Sequence, residues 1–189
     1  VLFRSAHAIS AQQQQDMIRD HLLFKPMDGD RYLSAAGISH HWPHGRGCYV
    51  SHDREFIIWV GEEDHLRIMT MTIGTQLGQL LSRLKSFIDT IDLMDSFDFA
   101  TSSHYGFVTT CPTNLGTGMR ASVHLRLPNL TADGSDQKVK DIASPLGLAV
   151  RGLGGEHTPI GADGTVDVSP RARFGISEEG IIQRLYDGI

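Results

Sequence analysis

With 189 residues, 40% of them hydrophobic and 21% charged, the sequence is long enough to bury a sizeable core and has the composition of an ordinary globular protein. Its net charge of −5 argues against a general binder of nucleic acid or anionic membrane, which carries a basic excess. Cys48 and Cys111 make no disulfide framework, so a reducing, cytoplasmic setting is the default, and no run approaches the roughly 18 apolar residues of a membrane helix.

The start, VLFRSAHAIS, lacks an initiator Met and a long apolar stretch, and reads as a chain entered in its middle. Ser10 is placed to cap a helix running through AQQQQDMIRDHLL, with Met17, Ile18, Leu22 and Leu23 partly on one face. Pro26, Gly29 and Asp30 break that pattern, and residues 31–36 suit a short helix. Residues 48–51, 55–60 and 65–72 read as three consecutive antiparallel strands, rich in Ile, Val and aromatics and joined by short turns. The clearest helix follows: Leu77, Leu80, Leu81, Leu84, Ile88 and Ile91 make one apolar stripe, which is core. Tyr105–Leu127 reads as two strands around a turn, Cys111–Gly118. A helix near Asp136–Ala143 stops before Pro145, and residues 147–153 and 165–169 read as strands around a glycine-rich loop. Ser177 caps a last helix through GIIQRLYDG. No internal repeat or linker is visible. Strands joined mainly by short turns predict an α+β fold with a mostly antiparallel central sheet flanked by helices.

Three clusters carry potential chemistry. HHWPHGRGC packs three histidines and a cysteine together, but the spacing matches no standard zinc set. Glu62, Glu63 and Asp64 gather three carboxylates at a strand end; a buried acid there needs a cationic partner. The turn CPTNLGTG holds a lone thiol with Arg120 just beyond it. A Cys–His protease, with His104 or His124 as base, is one reading of that thiol. It lacks the local cysteine-protease signatures and leaves the neighbouring arginines unexplained.

CPTNLGT with RASVH behind it, GEEDHLRI at 61–68 and RGLGGEHT at 151–158 resemble, in the same order, the signatures of the phosphagen (ATP:guanidino) kinases, the family of arginine and creatine kinases. The resemblance runs from about Gln12 to the last residue and lies nearest the arginine kinases. It implies that residues 1–189 are the C-terminal catalytic domain, of glutamine-synthetase-like fold, without the family's small helical N-terminal domain and linker. It implies phosphoryl transfer between MgATP and a guanidino compound, L-arginine first, with ATP/ADP and Mg²⁺ as cofactors. Glu63 and Glu156 match the carboxylates that grip the guanidinium, and Cys111 matches the reactive thiol beside it. Arg67, Arg120 and Arg151 match the phosphate-binding arginines. His124 matches an adenine contact, with Ala121, Ser122 and Val123 lining the same segment, and Gly152, Leu153, Gly154 and Gly155 form the mobile loop. Glu62 is expected to touch a water of the Mg²⁺, and Asp167 to lie near the nucleotide without an assigned role.

The sequence departs from the family in two ways. Val50 stands where a histidine usually contacts adenine, and the paired arginines of the linker, the N-terminal substrate loop and the end of the last helix are missing. The resemblance therefore leaves two alternatives beside a free-arginine kinase. One is a protein-arginine kinase; the other is a nucleotide-binding fragment inactive without the N-terminal region.

Overall fold

The computed structural model describes residues 2–27, 29–94, 98–153 and 159–189. They fall into two compact units, Val1–Asp98 and Phe99–Ile189. None of the described helices is long and apolar enough to cross a membrane.

The first unit is built on four strands, β1 (Leu2–Ser5), β2 (Gly47–Val50), β3 (Phe56–Val60) and β4 (Leu66–Thr70), paired antiparallel in sequence order. The last three are those the sequence predicts: β2 is shifted one residue toward the N-terminus, β3 starts one residue later, and β4 is shorter at both ends. The edge strand β1 escapes prediction because four residues carry too little periodicity to stand out. Helix α1 (Ala11–Arg19) starts as expected, at a capping box in which the Ser10 hydroxyl accepts from Gln13 N and the Gln13 side chain answers to Ser10 N. It stops at Arg19, four residues short of the predicted end. Leu23, Phe24 and Met27 leave the helix and enter the core instead, with Cys48, Trp42 and Trp59 around them. The Trp59 indole donates to Leu22 O at 3.0 Å, and the Phe24 ring sits 5.5 Å from that of Trp59. Asp30 caps α2 (Arg31–Ala35) by accepting from Tyr32 N and Leu33 N.

The pleat separates the faces of this sheet. Cys48 and Trp59 are register partners, so they share the face that Phe24 covers. Phe56 points the other way and meets Phe87 of α3 (Leu77–Asp92) at 4.3 Å. The predicted stripe of α3 is its inward side, with Leu77 and Ile91 buried.

In the second unit, β5 (Thr101–Ser102) and β6 (Gly106–Phe107) form a short ribbon. Strands β7 (Val123–Arg126), β8 (Leu148–Arg151) and β9 (Thr165–Pro170) make an antiparallel sheet in the order β7-β9-β8. One face is apolar: Val123, Leu125, Leu148, Val150, Val166 and Val168 pack with Val139 and Ala143 of α4 (Gln137–Ala143). Helix α5 (Glu178–Gly188), capped by Ser177 as expected, buries Ile181 and Leu185.

The antiparallel pairing expected from the sequence holds at every described ladder, but the hairpin predicted over Tyr105–Leu127 does not form. Its two strands join different partners, β6 pairing with β5 and β7 with β9. A single bridge, Phe107 to Gly116, ties the first arm to the turn. Gly116, at φ +110° and without a Cβ, lets the chain pack closely on residues 173–174, where Thr117 N donates to Arg173 O at 3.0 Å.

Candidate active site

In the first unit, the acidic residues lie on the tight β3–β4 turn, closed by Gly61 N donating to His65 O at 3.0 Å. Gly61 takes φ +71°, which a side chain would strain. Glu62 and Glu63 are therefore oriented by the turn, and strand alternation has no say in it. Both are half-buried. Arg67 follows on β4, stacked over its register partner Trp59 with Cζ 5.0 Å from the ring centroid and Nη1 3.6 Å from Glu62 Oε1. The cation thus sits over an indole beside a carboxylate, with about half of its side chain exposed. Val50, on β2, is half-buried against the Leu23, Phe24, Met27 and Cys48 cluster, in register with Leu2 and Ile57.

In the second unit, Cys111 precedes a single 3₁₀ turn, Pro112–Asn114. Its carbonyl accepts from the Thr109 hydroxyl at 2.8 Å and from Asn114 N at 3.0 Å, and its Sγ lies 3.0 Å from Thr113 Oγ1. The thiol is half-buried. Cys48 is different: fully enclosed in β2, its thiol is pushed up to about 11 by burial, only partly offset by the Arg4 charge. A single equivalent of iodoacetamide at mildly alkaline pH is expected to modify Cys111 and leave Cys48 untouched, as read by peptide mass spectrometry. Alkylation of Cys48 first would contradict this burial.

The polar face of the β7-β9-β8 sheet carries the densest group of predicted residues. Strand alternation turns Val123 inward and His124 outward, and register places His124 and Arg151 on either side of Asp167. Asp167 is only 4% exposed and Ser169 only 1%. Arg120 reaches in from the segment before β7, bonds Asp167 Oδ2 through Nη2, and lies 3.4 Å from both Ser169 Oγ and Ser122 Oγ. His124 Nε2 stands 4.0 Å from Asp167 Oδ1, which has no hydrogen-bond partner among the described residues. A buried carboxylate thus anchors one guanidinium and lies beneath an imidazole and a second arginine. Forked donors with an open outer side suit a polyphosphate. Ala121 and Ser122 are half-buried on the approach to β7, Gly152 is buried just after β8, and Leu153 is exposed. Gly154, Gly155 and Glu156 lie outside the described residues.

Asp167 is the residue to which sequence reasoning gave no role. Its signal was present: one acid inside the apolar strand TVDVSP, at a position where burial demands a cationic partner. Among the described residues no group of three or more His, Cys, Asp or Glu gathers as a metal cage.

Comparison with known proteins agrees with this geometry. A family model described as ATP:guanido phosphotransferase, C-terminal catalytic domain, matches residues 3–189. The arginine kinase Lit v 2 of Penaeus vannamei is 44% identical over 181 residues, which is 96% of this chain and 49% of that protein. The arginine kinase of Plodia interpunctella is 43% identical with the same coverage. Among solved structures, the duplicated taurocyamine kinase from Schistosoma mansoni with bound transition state analog components matches at TM-score 0.87 and 37% identity. That match covers 99% of this chain and 25% of the other. A lombricine kinase crystal structure matches at TM-score 0.88 and 32% identity, covering 99% of this chain and 51% of that one. The chain spans about half the length of the curated relatives it matches. A sheet whose polar face anchors a guanidinium on a buried acid, and a match over nearly every residue, lead to one assignment: the chain belongs to the ATP:guanido phosphotransferase family, as its C-terminal catalytic domain.

Proposed function

We propose that residues 1–189 act as one catalytic domain that, in its full polypeptide, reversibly transfers the γ-phosphoryl group of MgATP to the guanidino group of L-arginine. The observation that carries the nucleotide half is the anchoring of Arg120 on Asp167, flanked by His124 and Arg151. Phosphoryl transfer is mainly positioning and charge stabilisation, and guanidinium forks held by a buried acid supply both without reorganising. Arg67, Arg120 and Arg151 hold the phosphates in this reading. Ala121, Ser122, Val123 and His124 meet the base side, and Gly152, Leu153, Gly154 and Gly155 close over it. Magnesium would neutralise phosphate charge, bound mainly by phosphate oxygens and water as this hard ion prefers. Glu62, a half-buried carboxylate already facing a cation, suits contact with one of those waters.

For the acceptor, Glu63 and Glu156 take the planar guanidinium, and Cys111 adds a third partner whose thiolate the substrate cation would favour. L-arginine is preferred because relatives named arginine kinases reach 44% identity. The setting proposed is the cytoplasm. Two rival readings are a protein-arginine kinase and a nucleotide-binding fragment inactive without a further region.

The test is a panel of ATP with arginine, creatine, taurocyamine, lombricine and an arginine-bearing protein, followed by phosphorus NMR for the N-phosphorylated product. It is run on this chain and on its full polypeptide. Phosphoarginine from free arginine is the expected product. Product only on the protein substrate would establish the first rival, and ATP binding with no product from either polypeptide would overturn the enzyme reading.

A further inference from the structure

The motif Gly45-Arg46-Gly47 is given no part in the reaction proposed above, yet its arginine makes three side-chain hydrogen bonds. Strand register explains where it points. Gly47 pairs with Val60 across β2 and β3, so the next step along the ladder sets Arg46 opposite Gly61, the first residue of the acidic turn. Its backbone is fixed there by Ala6 N, which donates to Arg46 O at 2.8 Å. The half-buried guanidinium then donates to three carbonyls from separate stretches: Nε to Gly61 O at 3.1 Å, Nη1 to His44 O at 2.9 Å, and Nη2 to Ile38 O. Among the described residues no carboxylate pairs with it. The two backbones meet closely as well, since a Cβ on Gly61 would come within 2.9 Å of Gly45 O.

An arginine spent wholly on backbone carbonyls fixes geometry; it does not bind a substrate anion. We propose that Arg46 is a positioning residue that clamps the β3–β4 turn, and through it sets where Glu62 and Glu63 point. This rests on the reading of Glu63 as a guanidinium-binding carboxylate. The turn is braced on both sides: Arg46 holds the Gly61 carbonyl, and Arg67 holds Glu62 at 3.6 Å. A displacement of about 1 Å at a reacting centre costs on the order of a hundredfold in rate, so a device that fixes this turn acts on turnover without touching substrate.

The test compares Arg46→Lys and Glu63→Gln in the full polypeptide. Lysine keeps the charge but offers a single ammonium that cannot span three carbonyls. The expected result for Arg46→Lys is a kcat/KM for the guanidino substrate lower by about tenfold to a hundredfold, with the KM for ATP unchanged. Hydrogen exchange by mass spectrometry should rise at residues 61–65 while β2, β3 and β4 stay protected. Wild-type kinetics and exchange would overturn the proposal. So would an equal loss in both substrates' parameters, or loss of protection across the whole unit, because Arg46 would then serve the fold at large. If Glu63→Gln leaves guanidine kinetics intact while Arg46→Lys still loosens residues 61–65, the role given to Glu63 fails and the clamp stands.

Discussion

Replacing Glu63 with glutamine is expected to lower turnover of the guanidino substrate by roughly 10²–10³ while leaving ATP affinity nearly unchanged. The amide keeps the size of the side chain but removes one negative charge. It also presents donors to a substrate group that is itself all donors. Losing one charge-assisted contact at the reacting centre costs about 2–4 kcal/mol, which converts to that range of rates. Glu63 lies on a turn whose backbone is closed by the Gly61–His65 bond and held by Arg46, so the substitution should leave the strands in place. Circular dichroism and substrate-dependent kinetics on the full polypeptide check both halves of this expectation. A tenfold rise in the KM for ATP with unchanged guanidine parameters would move Glu63 to the nucleotide side.

The second large effect concerns Arg120 and Asp167. Arg120→Ala leaves the carboxylate of Asp167, 6% exposed at its side chain, without its main partner. Breaking a buried pair from one side costs about 3–5 kcal/mol, because a charge stays behind in a site that cannot solvate it. Arg120 is itself 29% exposed at its side chain, which places the expected loss at the lower end, about 3 kcal/mol. Adding Asp167→Asn removes the stranded charge and should recover most of the stability. On the proposed reading of Arg120 as a phosphate ligand, it should not recover nucleotide binding. Urea unfolding of the single and double variants, with ATP titration alongside, separates the two roles. A single variant as stable as the wild type would show that Asp167 finds another partner, and recovery of ATP affinity in the double variant would show that Arg120 does not bind phosphate.

Much of the fold was legible in the residues because its signals are local. The stripe from Leu77 to Ile91 marks α3, Ser10 with Gln13 marks the start of α1, and the alternation in VHLR and TVDVSP marks strands with one apolar and one polar face. The blocks GEEDHLRI, CPTNLGT and RGLGGEHT pointed to the family that the match over residues 3–189 shows.

Strand partnership was not legible, and the site depends on it. β7 looks like the return arm of a hairpin from Tyr105, yet it pairs with β9, and Gly116 packs closely on Arg173. Only that pairing brings Arg120 and His124, from one stretch, and Arg151, from another, to a single buried acid. Likewise Arg46 reads in the sequence as one more charge in a glycine-rich turn, and only the register of β2 on β3 sets it opposite Gly61. The residue types were written in the sequence because chemistry selects them one position at a time. Their meeting was decided by tertiary structure because register and backbone packing are properties of pairs of segments, which no single segment contains.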